Sequence, residues 1–173
     1  MSKLDLAGLV RNIPDFPQPG IQFKDITTLI GNGQAFGQVI DELAERYRDR
    51  QVDAVVGVES RGFIFSAPLA LRLGVGLVPV RKPGKLPAET YQIEYELEYG
   101  RSALEIHRDA LAPGSRVVVV DDLLATGGTI GAASQLIERA GGSVVELAFV
   151  IELTFLGGRE RLAPRPVFSL IQY

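Results

Sequence analysis

Cysteine is absent from the sequence, so neither a disulfide framework nor a thiolate nucleophile is available. Histidine occurs once, as His107. That excludes a metal centre built on several imidazoles, and a Ser-His triad unless His107 serves it. No apolar run reaches the ~20 residues of a membrane span. The start, Met1-Ser2-Lys3-Leu4-Asp5-Leu6, carries an acid and lacks the apolar stretch of a signal peptide. The expectation is a cytoplasmic protein with no membrane partner. With 18 basic against 21 acidic residues and a net charge of −3, no global basic field exists to hold nucleic acid. Against these absences stand 173 residues, 46% of them apolar. That is enough for a real core and suggests one domain, with at most a small appendage. No internal repeat, low-complexity tract or linker interrupts it.

The chain is organised around Val117-Val118-Val119-Val120-Asp121-Asp122-Leu123-Leu124-Ala125-Thr126-Gly127-Gly128-Thr129. The Val run predicts a strand buried on both faces, as in a parallel sheet. The two acids fall where that strand is expected to end. A small-residue loop follows, then a helical pattern with Ile130, Ala133, Ile137 and Ala140 on one face. Ligands of open α/β sheets bind at the carboxyl ends of strands, where these acids and this loop would sit. Gly127 and Gly128 allow the backbone to turn and bring N–H groups close to a ligand. Those groups open a helix, whose amino end favours an anion. Thr126 and Thr129 add hydroxyl donors, so the loop suits a phosphate monoester. Asp121 and Asp122 are acceptors when ionised and would repel a phosphate set beside them. A ribose resolves the conflict, with diol donors at one end and a 5′-phosphate at the other. The plain alternative is a strand-to-helix turn with Asp and Thr as caps.

The remaining elements follow from periodicity. Residues 4–10 predict a short helix. Residues 13–20, with three prolines, predict an extended surface segment, followed by an extended piece over 21–26. Thr27 or Thr28 is expected to cap a turn ending near 31–33. Phe36, Val39, Ile40, Leu43, Ala44 and Tyr47 recur at helical spacing and predict an amphipathic helix. A buried strand is expected over 54–58 and a helix over 63–73. Pro68 falls within that helix's first turns, so it is expected to begin later or to bend there. Another strand over 75–80 runs into the cationic, Pro/Gly-punctuated residues 81–87, which predict a mobile loop. Residues 90–99 and 103–107 predict an antiparallel hairpin turning at Gly100-Arg101, with Glu94, Glu96 and Glu98 exposed. After the central helix, a strand is expected over 144–153, a short helix over 156–162 and a last strand over 167–171. Strands alternating with helices predict an α/β fold: a mainly parallel sheet with helices on both faces. Two near misses are set aside. Pro83-Gly84-Lys85-Leu86 lacks the upstream Gly and the Ser/Thr of a P-loop, and Gly74-Val75-Gly76 lacks the third Gly of a dinucleotide fingerprint.

The run Val117 to Thr129 closely resembles the signature of the type I phosphoribosyltransferases, which bind phosphoribosyl pyrophosphate. Further segments resemble the adenine phosphoribosyltransferases of that family. They are Phe16-Pro17-Gln18-Pro19-Gly20-Ile21-Gln22-Phe23-Lys24-Asp25-Ile26, Glu59-Ser60-Arg61-Gly62-Phe63, Arg81-Lys82-Pro83-Gly84-Lys85-Leu86-Pro87, Leu97-Glu98-Tyr99-Gly100, and Glu152-Leu153-Thr154 followed by Gly158-Arg159. Between Pro87 and Glu98 only Thr90 and Tyr91 match, which leaves contacts made by that loop open.

The resemblance implies a type I phosphoribosyltransferase fold over residues 1–173. It has a small N-terminal hood formed mainly by residues 1–33 and an antiparallel flexible-loop hairpin. It implies a reaction joining adenine to phosphoribosyl pyrophosphate, giving AMP and pyrophosphate, with Mg²⁺ and in a homodimer. Pyrophosphate is placed on Glu59, Ser60 and Arg61, with Arg81, Lys82 and Lys85 adding charge, partly across the dimer interface. A strained peptide is expected near Glu59–Ser60. The ribose falls to Asp121 and Asp122, directly or through water on Mg²⁺, and the 5′-phosphate to Ala125, Thr126, Gly127, Gly128 and Thr129. Phe23 would stack on adenine, backbone groups of Gln22 and Lys24 would read its edge, and Ala125 and Leu153 would line the other side. Glu98 is the candidate general acid/base, and a loop from Pro83 to about Tyr95 is expected to close over the reactants and exclude water. His107 has no expected part. The alternatives are a relative acting on xanthine, hypoxanthine or orotate, a ligand-sensing regulator of the same fold, and a nucleotide-binding module without turnover.

Overall fold

The computed structural model describes residues 3–97 and 100–173. It divides into two compact units, Met1–Leu43 and Ala44–Tyr173.

The first unit is built on a short hairpin. Strand β1 (Arg11–Pro14) pairs antiparallel with β2 (Gln22–Asp25), and the Arg11 guanidinium donates to Asp25 Oδ2 at 2.6 Å. Phe16 and Phe23 meet edge to face at 5.1 Å. The helix expected over 4–10 reduces to one 3₁₀ turn, Ala7–Leu9. Seven residues containing Gly8 are too few to offset the cost of nucleating an α-helix. The turn α1 (Thr27–Ile30) has no side-chain cap at its boundary residue, and neither Thr27 nor Thr28 caps it. Asp25 Oδ1 instead accepts the Thr27 N–H at 2.9 Å, while the Thr28 hydroxyl donates to the Leu9 carbonyl. The helix α2 (Gly33–Tyr47) begins three residues before its first predicted apolar position, with Asn32 Oδ1 accepting from the Gln34 and Ala35 N–H groups. Val39, Leu43 and Tyr47 on its apolar stripe are fully buried.

The second unit holds the predicted parallel sheet. Its order is β4 (Gly76–Val80), β3 (Ala54–Val58), β7 (Arg116–Leu124), β8 (Ser143–Glu152) and β9 (Val167–Gln172), every pair parallel. Side chains alternate across a strand, and the sheet uses both faces. Val56, Val58, Val117 and Val119 pack with Ile130, Ala133 and Ile137 of helix α4 (Gly128–Arg139). Helix α3 (Gly62–Leu73) lies against the other face, where a β-carbon on Gly57 would meet Ser66 Oγ at 2.1 Å. No larger residue fits that crossing. Pro68 neither delays nor interrupts α3, which runs from Gly62.

Two further corrections concern where elements stop. β7 does not end at the acids; it runs through Asp121 and Asp122 to Leu124. Its pairing with β3 ceases at Val120, whereas β8 accompanies it to Leu124. The neighbour, not the local sequence, therefore sets the strand's length, and the acids sit where the sheet splits. The helix expected over 156–162 is broken at Gly157 (φ 65°) into a 3₁₀ turn, Thr154–Leu156, and α5 (Gly158–Leu162).

The hairpin β5 (Thr90–Leu97) and β6 (Gly100–His107) forms the predicted antiparallel pair. Gly100 and Arg101 belong to β6 rather than to a turn, and the connection at 98–99 lies outside the described residues. Tyr91, Ile93 and Tyr95 pack onto the core beside α4. Glu146, buried on β8, accepts from Arg46 (2.6 Å), Tyr47 (2.7 Å) and Arg50 (3.1 Å). Burial opposes its charge, but these donors lower its pKa below the usual carboxylate value. Among the described residues no helix is long and apolar enough to cross a membrane.

Candidate active site

A cavity of about 470 Å³ opens at the carboxyl ends of β3 and β7. It is bordered by the loop after β3, the loop after β4, the Asp pair of β7 and residues 123–130. All of these belong to the second unit.

The loop from β7 to α4 is shaped by close approach. Gly127 takes φ 83°, a conformation that side chains disfavour, and α4 starts at Gly128 with no side-chain cap. The plain capping alternative for Asp and Thr is thereby excluded. The first turn of a helix leaves its N–H groups without helical partners, and here that turn borders the cavity, a setting that favours an anion. Thr126, Gly127, Gly128 and Thr129 all line the space. The Thr129 hydroxyl is also 3.3 Å from the Tyr95 hydroxyl of the hairpin.

Asp121 and Asp122 both border the cavity. Asp121 Oδ1 accepts the Asp122 N–H at 2.9 Å, and Arg61 Nε pairs with Asp122 Oδ2 at 2.7 Å. Loss of water, and next the neighbouring Asp122 charge, push the Asp121 pKa well above the ordinary carboxylate range. Asp122 is raised too, by its own burial, with the Arg61 guanidinium pulling the other way. Donors or positive charge entering between these acids would therefore favour their ionised forms.

In the loop after β3, the Glu59–Ser60 peptide is cis, at the position where an unusual peptide was expected. Glu59 borders the cavity, and its carboxylate is engaged by neighbouring donors. Its carboxylate accepts from Arg81 (3.2 Å), the Lys82 N–H (3.0 Å) and Lys85 Nζ (3.1 Å). Burial works against its charge, but these three partners outweigh it and hold the pKa down at about 2. Arg81 does not line the cavity; Lys82 and Lys85 do.

Residues 81–87, predicted as mobile, are clamped in this structure. Glu105, buried on β6, accepts the Lys85 and Leu86 N–H groups with Oε1 (3.2 and 3.1 Å) and the Thr90 hydroxyl with Oε2 (3.3 Å). Its backbone also pairs with Arg81. Sequence reasoning missed Glu105, although an acid between Leu104 and Ile106 on a strand was a usable signal. Glu105→Ala is expected to loosen this loop. An unsatisfied pair of N–H groups costs ~1–3 kcal/mol, so tryptic cleavage after Lys85 should accelerate about tenfold. Glu105→Gln, which keeps Oε1, should be cut like the parent. Equal cleavage of all three proteins would show that Glu105 clamps nothing.

The other predicted residues lie as follows. Gln22, Phe23 and Lys24 share β2 of the first unit, with Gln22 exposed and Phe23 and Lys24 half-buried. In the second unit Ala125 lines the cavity, and the Leu153 N–H donates to the Leu124 carbonyl at 2.9 Å. Buried Glu152 next to Leu153 binds Arg159 and the Ser169 hydroxyl (2.6 Å), tying β8, α5 and β9 together. Its pKa is lowered first by the Arg159 hydrogen bond. Glu98 lies outside the described residues. His107 Nε2 accepts the Ala88 N–H at 3.3 Å, beyond the cavity lining.

A parallel sheet with a glycine-threonine loop, paired acids and cations gathered at the carboxyl ends of its inner strands is an α/β architecture suited to a phosphate ester. The model of the phosphoribosyl transferase domain matches residues 27–166, and the chain belongs to that family. It is 79% identical over 173 residues to the adenine phosphoribosyltransferase of Chloroflexus aurantiacus, covering all of both chains. Its fold superposes on the crystal structure of adenine phosphoribosyltransferase from Thermoanaerobacter pseudethanolicus with a TM-score of 0.94, at 55% identity over 98% of each chain. The Saccharomyces cerevisiae enzyme, crystallised with an imino-altritol bisphosphate and adenine, gives 0.90 at 45% identity over 96% of each.

Proposed function

We infer that this chain is an adenine phosphoribosyltransferase, transferring the 5-phosphoribosyl group from phosphoribosyl pyrophosphate to adenine with release of pyrophosphate. The observation that carries the reading is the division of one cavity into three chemically distinct parts. The start of α4 supplies backbone donors, Arg61, Lys82 and Lys85 supply cations, and Asp121 and Asp122 supply two carboxylates, all bordering one space.

Residues 125–129 hold the 5′-phosphate, and Asp121 and Asp122 take the ribose hydroxyls. The sugar is thereby fixed at both ends, with its anomeric carbon facing Arg61. As the bond to pyrophosphate lengthens, positive charge develops on the ring and negative charge on the leaving group. The Asp pair opposes the first, and Arg61, Lys82 and Lys85 the second. Lys85 must exchange Glu59 for pyrophosphate, so Glu59 holds the cation in readiness until the donor arrives. Gln22, Phe23 and Lys24 are assigned to adenine, as are Ala125 and Leu153. Adenine's amine is a donor where a 6-oxopurine has an acceptor, and a pocket left with an unpaired polar group rejects the wrong base.

Glu98 accepts the ring proton that adenine loses as its N9 attacks. Glu98→Gln should lower turnover by about 10²–10⁴ while AMP binding is retained. Near-normal turnover would remove the role.

Mg²⁺ fits the donor set. Among the described residues no group of three or more His, Cys, Asp or Glu could hold a metal, but two adjacent carboxylates suit an ion carried mainly by substrate phosphates. When bound, it would neutralise charge on the departing pyrophosphate. A cytoplasmic homodimer, with residues 1–173 as one catalytic domain and residues 1–33 as its hood, completes the proposal.

Pyrophosphate release on mixing the protein with donor, Mg²⁺ and each of adenine, hypoxanthine, xanthine and orotate tests it. Release with adenine alone is expected. Equal release with hypoxanthine would overturn the base assignment, and none with any base would leave a binding module.

A further inference from the structure

The cavity is charged unevenly. Its cationic side chains, Arg61, Lys82 and Lys85, come from the loops after β3 and β4, and residues 125–129 contribute no cation. A phosphate monoester held there carries a charge of about −1.5 to −2 at neutral pH. The amino end of α4 answers it with only about +0.5.

Helix α5 stands beside this end. Gly158 and Leu162, one turn apart, seat it against the loop. A β-carbon on Gly158 would lie 2.2 Å from the Ala125 carbonyl oxygen, and one on Gly127 would lie 3.1 Å from Leu162 Cγ. Arg161, three residues after Gly158, falls on the same side of the helix. Both its terminal nitrogens are 3.9 Å from the β-carbon position of Gly128, the first residue of α4. The neighbouring arginines are occupied: Arg159 pairs with Glu152, and Arg165 with Glu138 at 2.7 Å. Among the described residues no acid pairs with Arg161, and its side chain is exposed. Arg161 is not among the residues bordering the cavity, but an unpaired fork of donors beside the first residue of α4, on a helix seated against the loop, is within reach of a phosphate oxygen held there.

We propose that Arg161 is a ligand of the 5′-phosphate, completing from α5 the charge that the glycine-threonine loop lacks. This rests on the phosphoribosyl assignment above. The test is titration calorimetry of AMP, adenosine and pyrophosphate on the parent protein, Arg161→Ala and Arg161→Lys at fixed ionic strength. The Ala variant should bind AMP about tenfold more weakly, as loss of a charge-assisted hydrogen bond implies. The Lys variant should recover part of that, since it keeps the charge without the fork. Adenosine and pyrophosphate affinities should not change. An AMP loss under twofold would overturn the proposal, and so would equal losses for AMP and adenosine, which would mark a merely structural role. Failure of the parent protein to bind AMP would instead overturn the phosphoribosyl reading, and this inference with it.

Discussion

Gly158→Ala is expected to cost both stability and phosphate binding, although it adds a single methyl group. The new β-carbon would lie 2.2 Å from the Ala125 carbonyl oxygen and 2.8 Å from Leu124 Cδ1. The nearest atom is backbone, so no side-chain rotation relieves the clash. α5 cannot retreat, because Leu162 is buried and Arg159 is tied to Glu152 and to the Val167 carbonyl. The strain must move the segment 124–127, whose backbone forms the anion loop. Overpacking of this kind costs ~1–3 kcal/mol, occasionally more. For a domain of this size that lowers Tm by about 3–10 °C. The KM for the phosphoribosyl donor should rise at least about tenfold, because misplacement by ~1 Å is enough to spoil a positioned site. The control is Gly37→Ala in α2, where a β-carbon meets nothing within 4 Å. There the gain in helix propensity, up to ~1 kcal/mol, should raise Tm. Thermal melts and donor kinetics on both variants decide the matter. If Gly158→Ala melts and turns over like the parent, α5 does not brace the loop.

These two glycines also mark the boundary of what was legible in the chain. Elements defined by their own periodicity could be read directly. The Val run of β7, the stripe Val39, Leu43 and Tyr47 of α2, and the alternation of Tyr91, Ile93 and Tyr95 on β5 each expose one face or none. The strand-loop-helix run over 117–139 was legible for a similar reason, since its signal lies in consecutive residues. Elements defined by a neighbour were not. β7 runs on through Asp121 and Asp122 because β8 continues to pair with it after β3 has left. Pro68 sits inside α3 despite its local cost, which tertiary packing overrides. The ion pairs of the Glu59 carboxylate with Arg81 and Lys85 were not legible either, because they join loops that lie more than 20 residues apart. The clamp by Glu105 and the seat of α5 join residues that sequence spacing does not relate. Glycine spacing could not distinguish Gly158, which touches Ala125, from Gly37, which touches nothing.

Arg61→Ala should produce the largest catalytic loss, and its signature follows from the partner Arg61 holds. Arg61 Nε lies 2.7 Å from Asp122 Oδ2, where the guanidinium does two jobs. It offsets the burial that raises the Asp122 pKa, and as a residue bordering the cavity it is proposed to take the leaving group. Removing it leaves Asp122, 4% exposed, without its cation. The acid is then driven further toward its neutral form, in which it opposes positive charge on the sugar less well. The leaving group loses its forked donor in the same stroke. Loss of one preorganised donor at developing charge costs about 10²–10³ in rate, and here both charges of the transition state are affected, so kcat/KM for the donor should fall by at least about 10³. Arg61→Lys should recover little, because an ammonium can answer Asp122 or the pyrophosphate but lacks the planar fork that reaches both. The base is assigned to other residues than Arg61, so the KM for adenine is expected to hold within about twofold. A pH profile separates the two jobs. If Arg61 keeps Asp122 ionised, the acid limb of kcat/KM in Arg61→Ala moves to higher pH, because a raised pKa leaves the carboxylate protonated over a wider range. A loss below tenfold would sink the assignment of Arg61 to the leaving group. An unmoved acid limb with a full loss of rate would confine its action to pyrophosphate and separate it from Asp122.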